Sequence, residues 1–360
     1  MADQPIRVLD LVGSPAEVGR AHGAAYAAEI REYTDERVHL SSEGTWAGHA
    51  MTRDEVLALA EACLPAHEAY APDLYAEMVA MAEGAGLSPA EAVIVGGFTD
   101  FIDTVRAAGG DPFPEDTCTA ALVPPDAGGG EPWFAQTWDM HDTATPYIVM
   151  LRTRVTGRPE SLVFTTVGCL GQIGMNDVGL CVGINNLTAS DGRVGVTWPF
   201  VVRKALAQTT IDDALACITE ADLAGGHNFL LLDAEGRGYD VEAMPTATHI
   251  IELHDEPVVH TNHCVAEITQ AVQGPRAPVR IASTENRYAR AVELLGKRPI
   301  DEQSLMALTR DEEAICERPE PPYEVMSCGA TVMRPRTRDL WAVWGLPVEN
   351  EYEHFTVGPR

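Results

Sequence analysis

The N-terminal third of the chain has the hydrophobic spacing of helices, and three capping boxes mark where helices begin. In each box a hydroxyl residue stands three positions before a glutamate: Ser14 with Glu17, Thr52 with Glu55, and Ser88 with Glu91. Proline occupies the first helical position after two of these caps. The pattern predicts one short strand over residues 6–11 and then a helical segment over residues 14–105.

From residue 118 the pattern changes to short apolar and β-branched runs separated by glycine, proline and aspartate. Up to residue 184 these runs predict consecutive strands of a mostly antiparallel sheet. Two helices are predicted next, at 198–208 and 211–223, the second closed by Gly225 and Gly226. Further strands, two helices and a final hairpin follow. This order predicts an α+β fold with two sheets between helical layers.

The charge of the chain limits its partners. Lysine and arginine number 25 against 54 acidic residues, a formal net charge of −29. Nucleic acids and anionic membranes require a basic face, so neither is an expected partner.

The cysteines and the N-terminus indicate a reducing compartment. Eight cysteines are spread along the chain without a C-x-x-C pair, which is typical of proteins without disulfides. The first residues show neither a basic region nor a continuous apolar stretch, and no apolar run reaches 18 residues. We therefore expect a cytoplasmic protein.

No cofactor or metal is predicted. Walker A, G-x-G-x-x-G and G-x-S-x-G patterns do not occur in the sequence. His260, His263 and Cys264 in HTNHC could suggest a metal site, but 260 and 263 point to opposite faces of a strand.

The most informative segment is a predicted hairpin that begins at Cys118. Residues 118–123 and 133–138 have strand character, and the glycine-rich stretch between them can supply a turn. A reversal centred between Gly128 and Gly129 would set Cys118 opposite Asp139. We therefore expect both side chains on one face of the sheet.

A cysteine nucleophile at this position needs a base, because a free thiol has a pKa near ~8.5. Cleavage between Thr117 and Cys118 would create an α-amine with a pKa near ~7.7 to 8.0, which could take the thiol proton. Asp139 would then orient that amine. A dyad of Cys118 with His141 is the alternative.

Three asparagines are candidates for binding the substrate carbonyl. Asn262, at a strand end, carries an amide suited to stabilise an oxyanion. Asn185 and Asn186 end a buried strand, where their amides could face a pocket.

Short motifs in a fixed order run along nearly the whole chain. They are AEVGRAHGAAYAAEI, EAVIVGGFTDF, C-T-x-A at 118–121, QTWDM at 136–140, VGCLGQIGMNDVGLCVGINNL, VHTNHC at 259–264, NRYAR at 286–290 and S-x-G-A-T at 327–331. Together they resemble the isopenicillin N acyltransferase group of N-terminal nucleophile hydrolases, relatives of penicillin V acylases and bile-salt hydrolases. The resemblance implies a four-layered αββα fold.

It also implies a precursor that cuts itself before Cys118. The products would be a helical segment, 1–117, and a catalytic segment, 118–360, together forming one globular unit. Cys118 would be the nucleophile, Asp139 would hold its amine, and Asn262 would stabilise the oxyanion with help from Asn185.

The remaining predicted site residues come from the same motifs. Thr119 follows the nucleophile in C-T-x-A, and Ser327 and Cys328 begin S-C-G-A-T, where the penicillin-forming enzyme has S-R-G-A-T. A thiol cannot replace the carboxylate-binding fork of a guanidinium, which argues against penicillin chemistry. Arg287 in NRYAR is the candidate for a replacement cation.

The sequence thus predicts a self-processing amidase that hydrolyses a small N-acyl amide through an acyl-thioester on Cys118. Its two segments would stay associated, and a homo-oligomer stays open. Acyl transfer from coenzyme A or an amide to an amine is one alternative, since it uses the same residues. An uncut, catalytically silent binding protein is the other.

Overall fold

The computed structural model of the protein describes residues 5–44, 48–107, 117–319 and 324–358. Residues 108–116, the end of the predicted first segment, lie outside this set. The helices are α1 Pro15–Ala25, α2 Ala27–Ser42, α3 Arg53–Tyr70, α4 Pro72–Ala85, α5 Pro89–Gly96, α6 Phe98–Ala107, α7 Trp198–Leu206, α8 Ile211–Thr219, α9 Glu267–Gln270, α10 Pro278–Leu295 and α11 Glu302–Thr309.

Fourteen strands are described, most of them in the second half of the chain. They are β1 Val8–Gly13, β2 Ala120–Val123, β3 Trp133–His141, β4 Ile148–Val155, β5 Ser161–Thr166, β6 Ile173–Asn176, β7 Cys181–Leu187, β8 Gly226–Leu232, β9 Gly238–Ala243, β10 Thr248–Glu252, β11 Val258–His260, β12 Val325–Arg334, β13 Asp339–Trp344 and β14 Glu353–Thr356. They form an eight-stranded sheet, β1-β4-β5-β6-β7-β8-β9-β10, and a six-stranded sheet, β11-β2-β3-β12-β13-β14.

The two sheets face each other, and helices cover both outer surfaces. Alternate residues of each strand point to opposite faces. Met150 in β4 packs between the sheets with Phe134 of β3, whereas its neighbour Leu151 packs against the N-terminal helices. On the other side, Ala135 of β3 packs with Leu295 of α10 and Leu305 of α11. The predicted αββα layering is therefore confirmed.

The helical starts agree with the capping pattern in the sequence. Ser14, Thr52 and Ser88 each accept from the amide of the glutamate three residues later, and that glutamate binds the amide of the cap residue. Such local hydrogen bonds need no tertiary contact, which is why the sequence reveals them.

The predicted end of α8 is wrong. The helix stops at Thr219, and Gly226 begins β8 instead of closing the helix. Leu223 forms an isolated parallel bridge with Val196, so the chain after α8 already pairs with another segment.

One pairing was not predicted. β1 lies parallel to β4, with Val8 aligned to Met150 and Gly13 to Val155, whereas the other pairings within both sheets of the described chain are antiparallel. The N-terminal segment thus contributes an edge strand to the larger sheet.

Within the described ranges, no single helix is long and apolar enough to cross a membrane. α4 and α5 together reach the required length and composition, but they are bent by 103° at their junction.

Candidate active site

Cys118 lies just before β2, and its side chain faces the space between the two sheets. It is 1% exposed and packs in the same cluster as Ala120, Leu122 and Trp138. Thr119 points to the opposite face, where its amide donates to Thr137 Oγ1 at 3.0 Å. The candidate nucleophile is therefore fixed by the start of a buried strand.

The predicted register of the hairpin is wrong by one residue. Ala120 pairs with Gln136 and Thr137 N donates to Thr119 O, so Cys118 aligns with Trp138 and not with Asp139. The turn is compact: Gly128 N donates to Pro124 O and Gly130 N to Pro125 O, at 3.0 and 2.8 Å.

This shift moves Asp139 to the opposite face. A one-residue shift in an antiparallel pair reverses the face of every side chain. Asp139 therefore lies on the surface of the six-stranded sheet that α10 and α11 cover, opposite Ser327 of β12. The expectation that one face carries both the thiol and the carboxylate does not hold.

Asp139 is fully buried, and its environment favours the neutral acid. Thr137 Oγ1 lies 3.3 Å from Oδ2. Burial and then the Glu317 carboxylate raise the pKa of Asp139 to about 8, and the Arg287 guanidinium opposes this shift. The carboxyl group of Asp139 therefore holds its proton more tightly than an exposed aspartate does.

The side chain of Asn262 contacts the main chain of Cys118. Its Oδ1 accepts from the Cys118 amide at 2.6 Å and from Arg287 Nη2 at 3.0 Å. Its Nδ2 donates to the carbonyl of Asn186 at 3.1 Å. Asn262 therefore holds the amide of the predicted scissile bond.

The loop that carries Asn262 is tied down by a buried carboxylate. Glu242 of β9 accepts from His260 Nε2 at 3.1 Å, from the Val265 amide at 2.5 Å and from the Thr269 hydroxyl. These contacts bracket residues 261–264, which limits the movement of Asn262.

Arg287 of α10 is placed beside Cys118. It is 1% exposed, and its Nη1 donates to Cys118 O at 2.5 Å and to Thr119 Oγ1 at 3.2 Å. Together with the contact to Asn262, the guanidinium links the nucleophile residue to the predicted oxyanion residue. Charge-assisted bonds of this kind are short and directional.

Glu317 belongs to the same group of residues, and sequence reasoning missed it. Its Oε2 accepts from the Thr117 hydroxyl at 2.8 Å, and its Oε1 accepts from Ser283 Oγ at 2.8 Å. Glu317 follows α11 in a loop, and nothing in its local sequence distinguishes it from other surface glutamates.

The two neighbouring asparagines of β7 have different surroundings. Asn186 lines the same small cavity as Cys118. Asn185 lies in the buried sheet opposite Asn228, whose Nδ2 donates to Asn185 Oδ1 at 3.4 Å. The Nδ2 of Asn185 is buried without a hydrogen-bond partner among the described residues.

The cavity next to Cys118 has a volume of about 30 Å³. Its walls are largely aromatic and aliphatic, formed by residues of the N-terminal helices, β3, β7 and α7: Tyr33, Val95, Phe98, Trp138, Ile184 and Trp198. His227 also lines it, and its Nδ1 lies 2.6 Å from Asp100 Oδ1. Asp100 belongs to the motif EAVIVGGFTDF, but neither Asp100 nor His227 is among the site residues predicted from the sequence.

Comparison with known proteins identifies the family. The family profile for acyl-coenzyme A:6-aminopenicillanic acid acyl-transferase matches residues 127–346, more than half of the chain. The chain belongs to this acyltransferase family. It is 24% identical over 306 residues to the 40 kDa form of acyl-coenzyme A:6-aminopenicillanic-acid-acyltransferase from Emericella nidulans, covering 84% of this chain and 80% of the relative.

Two solved structures are similar to this acyltransferase-family chain at low identity. One is a single-residue variant of conjugated bile acid hydrolase from Clostridium perfringens, with 10% identity, a TM-score of 0.45, and coverage of 68% of this chain and 99% of the other. The other is penicillin V acylase from Agrobacterium tumefaciens, with 13% identity, a TM-score of 0.36, and coverage of 63% and 82%.

Ser327 and Cys328 lie at an irregularity of β12, between Ser327 and Gly329. Ser327 Oγ accepts from the Glu317 amide at 3.0 Å. The Cys328 thiol is fully buried and lies 3.5 Å from His141 O, and burial raises its pKa to about 12. In this member of the acyltransferase family, position 328 is therefore a neutral core thiol and not a carboxylate-binding group.

His141 is poorly suited to activate Cys118. Arg37 Nη1 lies 2.9 Å from His141 Nδ1. Burial and the Arg37 charge lower the pKa of His141 to about 2. The ring is neutral and only weakly basic at physiological pH, which argues against the alternative of a Cys118 and His141 dyad.

The described residues contain no group of three or more histidine, cysteine, aspartate or glutamate side chains that could hold a metal ion. His260 binds Glu242, and His263 Nδ1 lies 3.1 Å from Thr284 Oγ1. The polar residues of HTNHC thus order a loop.

Proposed function

We propose that this protein is a self-processing cysteine amidase that hydrolyses a small N-acyl amide. The observation that carries the proposal is the arrangement at Cys118, where Asn262 binds its amide and Arg287 binds its carbonyl. Membership of a family of acyl-transferring enzymes supports the same chemistry.

Self-cleavage is the first step of this proposal. The Cys118 sulfur attacks the carbonyl carbon of Thr117, and the bond between that carbon and the Cys118 nitrogen breaks. The nitrogen takes the thiol proton and becomes an α-amine. Water then hydrolyses the thioester, which leaves a carboxylate on Thr117 and the free thiol on Cys118.

In turnover, the new amine accepts the thiol proton as the sulfur attacks the substrate amide. The oxyanion receives hydrogen bonds from asparagine amides, for which Asn262 and Asn185 are the candidates. The amine then protonates the leaving group, and water resolves the acyl-thioester on Cys118. The side chain of Asp139 lies on the other face of the sheet from the thiol, and Thr137 links it to the nucleophile strand: the Thr137 hydroxyl donates to Asp139 Oδ2 and accepts from the Thr119 amide.

Acyl transfer to an amine is the second candidate, and the family supports it directly. The matching family and the relative from Emericella nidulans are named for transfer from acyl-coenzyme A to 6-aminopenicillanic acid. Hydrolysis and transfer proceed through the same acyl-thioester. They differ in whether water or an amine attacks that thioester. We favour water, because the buried Cys328 thiol offers no cation for a β-lactam carboxylate.

The test is mass spectrometry of purified protein before and after addition of N-acyl amides. We expect two chains of 117 and 243 residues, the second beginning at Cys118, and an acyl adduct on that cysteine. Adding an amine or an acyl-coenzyme A thioester distinguishes transfer from hydrolysis by the product formed.

Two variants provide the decisive comparison. Cys118→Ala should remain one chain without activity, whereas Cys217→Ala, a buried cysteine of α8, should be cleaved and active. An active preparation that contains only the intact chain would refute self-processing. It would leave the uncut binding protein, or another nucleophile, as the explanation.

A further inference from the structure

Glu317 holds the residue that precedes the nucleophile. The hydroxyl of Thr117 donates to Glu317 Oε2 at 2.8 Å, across 200 positions of sequence. Thr117 is 1% exposed, so this hydroxyl is withdrawn from water. The contact is therefore a partly buried hydrogen bond to a carboxylate, and such a bond is stronger than one between neutral groups.

The carboxylate that receives this bond is itself fixed. Ser283 Oγ donates to Glu317 Oε1 at 2.8 Å, and Arg287 Nε lies 3.6 Å from the same oxygen. Arg280 Nη1 lies 3.6 Å from the other oxygen, Oε2. The main chain of Glu317 also pairs with Ser327, whose amide donates to Glu317 O at 2.9 Å. Glu317 thus has little freedom to move away from Thr117.

The predicted scissile bond is consequently held on both sides. Asn262 and Arg287 fix the amide and carbonyl of Cys118, on the C-terminal side. Glu317 fixes the side chain of Thr117, on the N-terminal side. Arg287 connects the two sets of contacts, since it binds Cys118 O and also approaches Glu317.

Such a clamp matters for an attack within the chain. The carbonyl carbon of Thr117 must face the adjacent sulfur in one orientation. Rotation about the Thr117 backbone would turn the carbonyl carbon away from the sulfur. Holding reacting groups in a productive geometry can account for a large share of a rate enhancement. A threonine anchored through its hydroxyl also has a restricted χ1 angle.

We propose that Glu317 is a positioning residue for self-cleavage, acting through the Thr117 hydroxyl. This inference rests on the proposed function. Glu317 takes no proton and forms no covalent bond. The carbon–sulfur bond forms between Thr117 and Cys118, the carbon–nitrogen bond breaks, and the thiol proton passes to the leaving nitrogen.

The experiment follows cleavage of the full chain during pulse-chase cell-free synthesis, with denaturing electrophoresis at each time. Thr117→Val removes the hydroxyl and keeps the branched shape, and Glu317→Gln removes the charge. Each should slow cleavage by about tenfold to a hundredfold, the range for losing one hydrogen bond to a charged group. Thr117→Ser, which retains the hydroxyl, should restore most of the rate.

A double variant separates this contact from a general effect on folding. If the two groups act through their mutual bond, Thr117→Val with Glu317→Gln should be no slower than the slower single variant. Glu312→Gln, an exposed glutamate of the same region paired with Arg318, is the matched control and should be cleaved at the wild-type rate.

Three outcomes would overturn the inference. They are wild-type cleavage of both single variants, multiplied effects in the double variant, and failure of Thr117→Ser to recover. A wild-type chain that never cleaves is a different result, because it refutes the proposed function itself.

Discussion

At the scale of single residues, Asp139 has the clearest consequence for stability. Its pKa rises from 3.8 to about 8 on folding, with burial as the main cause. The folded state therefore binds the proton more tightly than the unfolded state. Stability from this group is complete at low pH and is lost as the pH rises from about 4 to about 8.

Asp139→Asn should remove this loss. The comparison uses a Cys118→Ala background, which should keep the chain whole. The difference in the free energy of unfolding, Asn variant minus parent, should increase by more than about 1 kcal/mol from pH 5 to pH 8. Denaturant titrations at the two pH values measure the difference.

Asp212→Asn provides a control of opposite sign. The exposed Asp212 has its pKa lowered, chiefly by hydrogen bonding to Arg237, so its contribution is lost at low pH. Between pH 5 and pH 8 Asp212 stays ionised, so Asp212→Asn should show no gain in the free energy of unfolding over its parent. An equal gain in both variants would contradict the raised pKa of Asp139.

Chemical type and motif singled out several residues that the structure places close together. The structure brings Cys118, Asn262 and Arg287 together, and each had been singled out by chemical type and motif. Glu317 could not be found in this way, because its only distinguishing property is contact with residues far away in sequence. The catalytic roles of these residues stay predictions.

At the scale of elements, the turn between β2 and β3 determines which side chains meet. A Cβ on Gly128 would lie 2.0 Å from Glu131 O and 2.8 Å from Trp133 Cδ1. The glycine therefore permits the close approach of chain segments that sets the hairpin register. Local strand propensity leaves this register undetermined.

Gly128→Ala should strain or shift the hairpin. We expect a loss of about 1–3 kcal/mol in the free energy of unfolding, typical of overpacking, and slower cleavage before Cys118. Gly96→Ala is the matched control for stability, since its Cβ would meet its nearest neighbour at 3.6 Å. Equal unfolding midpoints for the two variants would contradict this account of the turn.

At the scale of the whole molecule, the N-terminal segment is built into the core of the rest. β1 pairs with β4 along six aligned positions, and residues of α1–α6 share a hydrophobic cluster with the eight-stranded sheet. We therefore expect the two chains to remain associated after cleavage. Native size-exclusion chromatography should show them eluting together and separating only in denaturant.

Adjacent positions of β1 test this association. Leu11 is 2% exposed and Val12 is 64% exposed, so the two side chains of neighbouring residues face opposite environments. Leu11→Asp should cost roughly 3 kcal/mol or more by burying a charge, and Val12→Asp should change stability little. Similar denaturation midpoints for both would argue against β1 as a structural part of the sheet.

The sequence by itself determined what depends on near neighbours: the capped starts of helices, the alternation of strands, the order of layers and the cysteine at the start of a strand. The caps and the strand alternation follow from hydrogen bonds and hydrophobic spacing within a few residues, and the layers follow from the order of these elements along the chain. Only the tertiary structure decided that Asp139 faces away from Cys118 and that Glu317 meets Thr117. The orientation of Asp139 depends on the register of the β2–β3 hairpin, because a shift of one residue turns every side chain of a strand to the other face. The contact between Glu317 and Thr117 depends on chain segments brought together from 200 positions apart.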